Sequence, residues 1–311
     1  MRADLRIMCV AISAGVFGVS LSGCTPSPSS PPHAEPSEPA GSPSTSSTAE
    51  FDDTTPRFSP DGRTIVFVRA QGEDSDILVM DVEGGAVRTL VDASDYDLDP
   101  AFSPDGRQIV FDTSPNAYPQ LHLVSSEGGE IEPISEVLDG WATFPAWSPS
   151  GDEVVYSCGH PSYEESDLCV LTVTGEFRGF LEPKSESQEL EPAWSPDGSA
   201  VAFSSDRSGD PDLYVIDLET DQVTRLTRGG SHDGDPAWSP DGQTIAFTRG
   251  DALGVMVCLV RSGGGGVRCV TPGVQPSWSS DGAALVFYRT TDDGDRIFVS
   301  EADGTNVTRL T

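Results

Sequence analysis

One phrase recurs six times along this chain. It reads PRFSPDG from Pro56, PAFSPDG from Pro100, PAWSPSG from Pro145, PAWSPDG from Pro192 and Pro236, and PSWSSDG from Pro276. The intervals are 44, 45, 47, 44 and 40 residues. A period of that length means one supersecondary unit copied and stacked, since a single copy cannot bury its own apolar face. Each interval carries four short runs of β-forming residues and no helical periodicity. In the fourth unit they are PAWS (192–195), AVAFSS (200–205), LYVIDL (213–218) and QVTRLT (222–227). Four strands in a unit of about 45 residues is the pattern of a propeller blade.

The phrase has turn chemistry. In Ser-Pro-Asp-Gly, Ser suits the first position, Pro presets φ at the second, Asp suits the third and Gly takes the fourth. Gly stays in all six copies, at Gly62, Gly106, Gly151, Gly198, Gly242 and Gly282, while Pro gives way once to Ser280 and Asp once to Ser150. A tight hairpin between the first and second strands of each unit follows. The proline that opens each unit suits an edge strand, which the innermost strand of a blade is. Two aromatic columns, Phe58/Phe102/Trp147/Trp194/Trp238/Trp278 and Phe67/Phe111/Tyr156/Phe203/Phe247/Phe287, are expected between neighbouring blades.

The stretch D-x-D-P-A-F-S-P-D-G-x-x-I-x-F at 97–111, with DLYVID at 212–217 and TRLT at 224–227, resembles the TolB-like β-propeller repeat, a WD-repeat-like family. The resemblance runs from about Asp52 to Thr311. It implies an all-β fold: a six-bladed β-propeller of four-stranded antiparallel blades over residues 51–311. It says less about function, because this fold hosts receptors, scaffolds, lyases and the gating domains of peptidases. Each blade is expected to be a single chain segment, with no strand from one terminus completing the last blade.

Residues 1–23 read as a lipoprotein signal peptide: Arg2 and Arg6, an apolar run, then Leu21-Ser22-Gly23-Cys24. That ending resembles a bacterial lipobox, which implies that Cys24 becomes the first residue and carries acyl chains such as palmitate. Residues 24–50 beyond it are rich in Pro, Ser and Thr with no large apolar side chain, so a disordered linker is expected. The location implied is extracytoplasmic, with the membrane reached only through the lipid anchor. The four remaining cysteines fall in two close pairs, Cys158/Cys169 and Cys258/Cys269, which in an exported chain read as disulfides. Four reduced, buried thiols are the alternative.

Net charge is −32. Such a field repels nucleic acid and anionic lipid and favours cations or basic proteins. The carboxylates concentrate on the propeller face that carries the blade-to-blade and second-to-third-strand loops. The candidate acidic binding face comprises Asp76, Asp97, Asp99, Glu191, Asp210, Asp212, Asp235 and Asp295. An envelope protein with a basic surface is the partner this suggests; the competing reading is acid that merely solubilises loops. Calcium binding by the Asp/Gly-rich loops is a further option, although no loop has full EF-hand spacing.

Catalytic signals are poor. GGSHDG (229–234) sets Ser231, His232 and Asp233 side by side in a loop between blades, but a triad assembles from residues distant in sequence, and the spacing is not Gly-x-Ser-x-Gly. No catalytic residue and no cofactor is therefore assigned. The expectation is a non-catalytic envelope lipoprotein acting as a scaffold or binding module. The alternatives are a propeller enzyme, such as a metal-assisted glycan or uronate lyase or a hydrolase, and a calcium-dependent carbohydrate-binding protein.

Overall fold

The computed structural model describes residues 51–311 apart from positions 73, 84, 93–95, 115–117, 136–139, 161, 163–164, 183–185 and 253. The signal segment, Cys24 and the linker lie outside the described residues. Among the described residues, twenty-four strands form six four-stranded antiparallel sheets, as the repeat requires. Blade one is β1 (Asp52–Phe58), β2 (Thr64–Gln71), β3 (Asp74–Asp81) and β4 (Arg88–Val91). Blade two is β5 (Asp97–Phe102), β6 (Gln108–Thr113), β7 (Gln120–Ser125) and β8 (Glu132–Pro133). Blade three is β9 (Trp141–Trp147), β10 (Glu153–Gly159), β11 (Ser166–Thr172) and β12 (Phe177–Phe180). Blade four is β13 (Glu189–Trp194), β14 (Ala200–Ser205), β15 (Asp212–Asp217) and β16 (Gln222–Arg225). Blade five is β17 (His232–Trp238), β18 (Thr244–Asp251), β19 (Gly254–Arg261) and β20 (Arg268–Pro272). Blade six is β21 (Val274–Trp278), β22 (Ala284–Thr291), β23 (Gly294–Glu301) and β24 (Thr308–Arg309).

The six repeated phrases build six copies of one turn. In the first, Gly62 N donates to Ser59 O at 2.9 Å, Ser59 Oγ donates to Asp61 Oδ1 at 2.6 Å, and Thr64 N donates to Ser59 Oγ at 2.9 Å. Gly62 has φ +70°, a left-handed conformation that explains why glycine never varies there.

The core lies between blades, where the aromatic columns place it. Phe67, Phe111, Phe203, Phe247 and Phe287 have no exposed surface. Six apolar clusters form, and each draws its buried residues from two neighbouring blades, the sixth and first included. Trp147, Trp238 and Trp278 add a polar tie: each indole N–H donates to an alanine carbonyl in the preceding blade, at 3.0, 3.0 and 3.1 Å.

The innermost strands β1, β5, β9, β13, β17 and β21 touch in a closed cycle. Both end blades are single chain segments, so among the described residues no strand crosses the last seam. Side chains hold it instead. Asp295 N donates to Asp52 Oδ1 at 2.8 Å, and the buried Arg296 donates to Phe51 O at 2.6 Å. The guanidinium groups of Arg69 and Arg296 lie 4.0 and 4.4 Å from the centre of the Phe51 ring. Disulfides Cys158–Cys169 and Cys258–Cys269 join β10 to β11 and β19 to β20, each inside one blade. Among the described residues, no helix is long and apolar enough to cross a membrane.

Candidate functional site

The residue before the opening proline of each repeat is where the blades agree in backbone and differ in side chain. These residues are Thr55, Asp99, Phe144, Glu191, Asp235 and Gln275. All six have φ between +47° and +57°. In each blade the pairing of first and second strands slips there, so the strand bulges. A left-handed non-glycine residue costs about 1–2 kcal/mol, and the neighbouring blade helps to hold it. Glu191 N donates to Ser157 Oγ at 3.2 Å and Gln275 N to Thr248 Oγ1 at 2.8 Å. Asp235 N donates to the carboxylate of Glu191 at 2.7 Å. Because these residues sit on the innermost strands, at or before the midpoint of each, they ring the bore.

Three of the six are acids, and they interact across blades. Burial raises the Asp99 carboxyl to about 7, with Arg57 opposing and Asp235 reinforcing the rise. Burial pushes Glu191 well above the usual carboxylate range, and the charges of Asp235 and Asp99 push it further. Asp235 is raised by burial against hydrogen bonds from Thr248 and Gln275 and the field of Arg57. Asp99 and Glu191 keep part of their surface open to the bore although protein surrounds them, whereas Asp235 is buried. Asp112 of β6 joins the group: it is buried and raised first by that burial, then by Asp99. Arg57 reaches across the seam between blades one and six, donating to Pro56 O at 3.1 Å and Gln275 O at 3.5 Å. The Tyr288 hydroxyl faces the same carboxylates and is raised by burial and by their charge.

The other sequence candidates have different places. Asp212 is buried and ion-paired with Arg225, and it accepts a hydrogen bond from Ser208 at 3.0 Å. Asp97 is fully buried beside Asp112. Asp76 is half-buried in β3, and Asp295 is half-buried in β23 at the closing seam. Asp210 is exposed in the loop before β15. The structure thus gathers Asp99, Glu191 and Asp235 and leaves Asp76, Asp210, Asp212 and Asp295 apart from that trio. Arg57, Asp112 and Tyr288 complete the group, and sequence reasoning did not single them out. Each departs from its column: Arg57 stands where blades two to five have Ala, and Asp112 where the other blades have Val, Ser, Ser, Thr and Tyr.

A second set of acids, two positions before the first, is structural. Arg69 clasps Asp53 at 2.7 and 2.8 Å, and Arg249 clasps Asp233 at 2.7 and 2.6 Å. In blade four Arg207 pairs with Glu189 and also with Glu182, the latter through two nitrogens at 3.2 and 2.7 Å. These arginines lie over second-strand rings, Arg249 at 5.4 Å from Phe247 and Arg207 at 5.2 Å from Phe203. The pairing removes Asp233 from any triad with Ser231 and His232, and His232 opens β17 rather than lying in the loop before it. Among the described residues, no three carboxylate, imidazole or thiolate groups are placed to share a metal ion. A surface cavity of about 500 Å³, lined by Asp197, Gln222 and Trp238 among others, opens on the turn side, away from the axial acids.

The family described as the TolB beta propeller domain matches residues 40–165 and 139–311. A comparison with curated protein sequences gives no match. Among solved structures, TolB from Acinetobacter baumannii superposes with a TM-score of 0.70 at 24% identity, covering 81% of this chain and 64% of that one. The chain therefore spans less than two thirds of that protein. A protein assigned as TolB from Agrobacterium tumefaciens gives 0.64 at 22% identity, covering 81% and 90%. An oligogalacturonate lyase in complex with manganese gives 0.60 at 15% identity, covering 84% and 78%. At these identities the likeness speaks to the fold alone.

Proposed function

The chain belongs to the TolB β-propeller domain family, and from that premise we propose that it is a non-catalytic binding module of the bacterial envelope. Its ligand is a basic protein segment that enters the bore from the acidic long-loop side. One observation carries this reading: three acids from three blades, Asp99, Glu191 and Asp235, hold the same position on the innermost strands, with Asp235 N bonded to the Glu191 carboxylate at 2.7 Å and the guanidinium of Arg57 acting on all three. The six ring positions share a strained backbone and carry five kinds of side chain, Thr, Asp, Phe, Glu and Gln, which is how a symmetric frame presents an asymmetric ligand surface. The lipobox resemblance at Leu21–Cys24 supports a chain exported and tethered by acyl chains on Cys24, with residues 25–50 as the spacer.

A lyase acting on uronates is the enzyme reading raised by the fold, and the acidic bore disfavours it, since such substrates are anions. The test is a cross-linked pull-down from envelope extract with the full chain at low and high salt. A basic protein retained at low salt and lost at high salt is the expected result. Retention indifferent to salt would remove the acidic bore from the account.

A further inference from the structure

Two grooves on the turn side of the ring are built alike and filled differently. One lies between blades one and two and the other between blades four and five, with volumes of about 470 and 500 Å³. Each is lined by residues of the Ser-Pro-Asp-Gly turns, by the aromatic that ends the second blade's first strand, and by the turn after its third strand. In the first groove these are Phe102, with Ser126 and Glu127; in the second they are Trp238, with Ser262 and Gly263. The two third-strand turns match bond for bond. Ser126 N donates to Arg107 O at 2.9 Å and Gly128 N to Ser125 O at 2.8 Å, while Ser262 N donates to Gln243 O at 3.0 Å and Gly264 N to Arg261 O at 2.8 Å. Gly128 and Gly264 have φ +91° and +87°. The carbonyls of Ser262 and Gly263 therefore stand in their groove as those of Ser126 and Glu127 stand in theirs.

The outer strand of the preceding blade decides what meets those carbonyls. Arg88 pairs with Val79 in blade one and Thr224 pairs with Val215 in blade four, so the two hold the same register position, and all four line their grooves. Arg88 crosses its groove: Nη1 donates to Glu127 O at 3.2 Å and Nη2 to Ser126 O at 3.0 Å. The Thr224 side chain is several bonds shorter and does not span the second groove. A Cβ on Gly263 would meet nothing within 4 Å, so the position that bears the Glu127 side chain in the first groove is open in the second. Asp197 and Asp217 line this groove, and none of its lining residues is a cation. Trp238 is half-buried, and its indole N–H bond to Ala193 O at 3.0 Å fixes the ring. Two backbone acceptors, an indole and two carboxylates complement a planar cation with several N–H donors.

We propose that the groove between blades four and five is a docking site for an arginine side chain of a partner protein, seated as the first groove seats the chain's own Arg88. The guanidinium donates to Ser262 O and Gly263 O, lies against Trp238 and is balanced by Asp197 and Asp217. A lysine ammonium, a compact point charge without the planar fork, fits this set less well. The site goes beyond the basic-segment reading above: it lies on the turn side and requires nothing of the axial acids.

The test is NMR of the full chain, following the Trp238 indole N–H, assigned with Trp238→Phe, during titration with N-acetyl-arginine methylamide and with its lysine counterpart. The expected result is a saturable shift of Trp238 with the arginine probe and binding of the lysine probe weaker by about tenfold. Thr224→Arg supplies the side chain from within and should abolish the Trp238 response. Arg88→Thr empties the first groove, so the arginine probe should then shift the Ser126 and Glu127 amides, which it leaves unmoved in the wild type. A Trp238 response that is absent, that survives Thr224→Arg, or that the lysine probe matches would overturn the proposal. Probe binding that moves other resonances but not Trp238 would overturn it too, and would leave the axial reading standing. If Thr224→Arg does not fold, Arg88→Thr decides: no new response at Ser126 and Glu127 would overturn the equivalence of the two grooves, and the site with it.

Discussion

Asp235 and Asp241 lie in one repeat, on either side of Pro-Ala-Trp-Ser-Pro, and the fold treats them in opposite ways. Asp241 is exposed in the turn, where a hydrogen bond from Ser239 and another from Gln243 N lower its carboxyl. Asp235 is buried on the axis and raised by that burial. The contrast extends around the ring. The turn acids Asp61, Asp105, Asp197, Asp241 and Asp281 are all lowered, each first by its own serine. The axial acids are all raised, each first by burial. Where the blades agree, the acid serves the frame. Where they differ, the same backbone offers a choice of side chain, and stability is spent on holding charge next to charge.

Breaking the frame should have the largest effect. Asp233→Ala leaves Arg249, only 17% exposed, without its carboxylate, and should lower stability by about 3–5 kcal/mol in urea unfolding. A silent substitution there would mean that the inner acids also serve something other than the frame. Asp99→Asn should act with the opposite sign. Its folded-state carboxyl titrates at about 7, above the ordinary value, so the native state binds more protons than the unfolded chain between about pH 4 and 7. Wild-type stability therefore falls as pH rises through that window, and the variant should escape the fall. The advantage should be small near pH 5 and reach on the order of 2 kcal/mol by pH 8, less than the full linkage because Asn must also be accommodated. A variant that is less stable than wild type at pH 8 would contradict the account of the bore. Gly242→Ala comes next: at φ +68° a side chain is strained, and the new Cβ would meet Pro196 Cγ at 3.4 Å. The expected loss is about 1–2 kcal/mol, read from the urea midpoint at unchanged slope.

The frame was readable in advance because six copies cancel local ambiguity. A single Ser-Pro-Asp-Gly is only a turn, but six at a fixed period, each followed by a strand with a central aromatic, admit few architectures. The disulfides followed from close cysteine pairs in a chain whose first residues resemble an export signal. The bore was only partly readable. Asp99, Glu191 and Asp235 stood out as acids, but so did Asp212, whose partner Arg225 lies on another strand. Burial depends on which strand edge faces the axis, and a run such as Asp-Leu-Asp-Pro does not say which of its acids turns inward. A spacing signal did exist for the paired acids: Asp53–Arg69 and Asp233–Arg249 are both sixteen residues apart, the distance from the start of a first strand to the end of the second.

The smallest expected effect is also the cleanest sign test of the contrast. Asp197 accepts hydrogen bonds from Ser195 Oγ, Ser199 N and Ser199 Oγ at 2.6, 3.0 and 2.8 Å, which bring its carboxyl down to about 2. A lowered folded-state value means that the unfolded chain binds the proton more readily, so the contribution is fully present above the ordinary carboxylate range and is lost as pH falls toward 2. Full exposure lets water and salt weaken that contribution, so the loss should be minor. Asp197→Asn should leave stability nearly unchanged near pH 2 and reduce it slightly at neutral pH. Wild-type stability plotted against pH should then show two limbs of opposite origin. The acidic limb, below about pH 4, belongs to the turns and should shrink in the Asp197 variant. The descending limb toward neutrality belongs to the bore and should shrink only in Asp99→Asn or Glu191→Gln. If one substitution altered both limbs, the two sets of acids would be energetically coupled through the strands that join them, and the division between frame and bore would have to be redrawn.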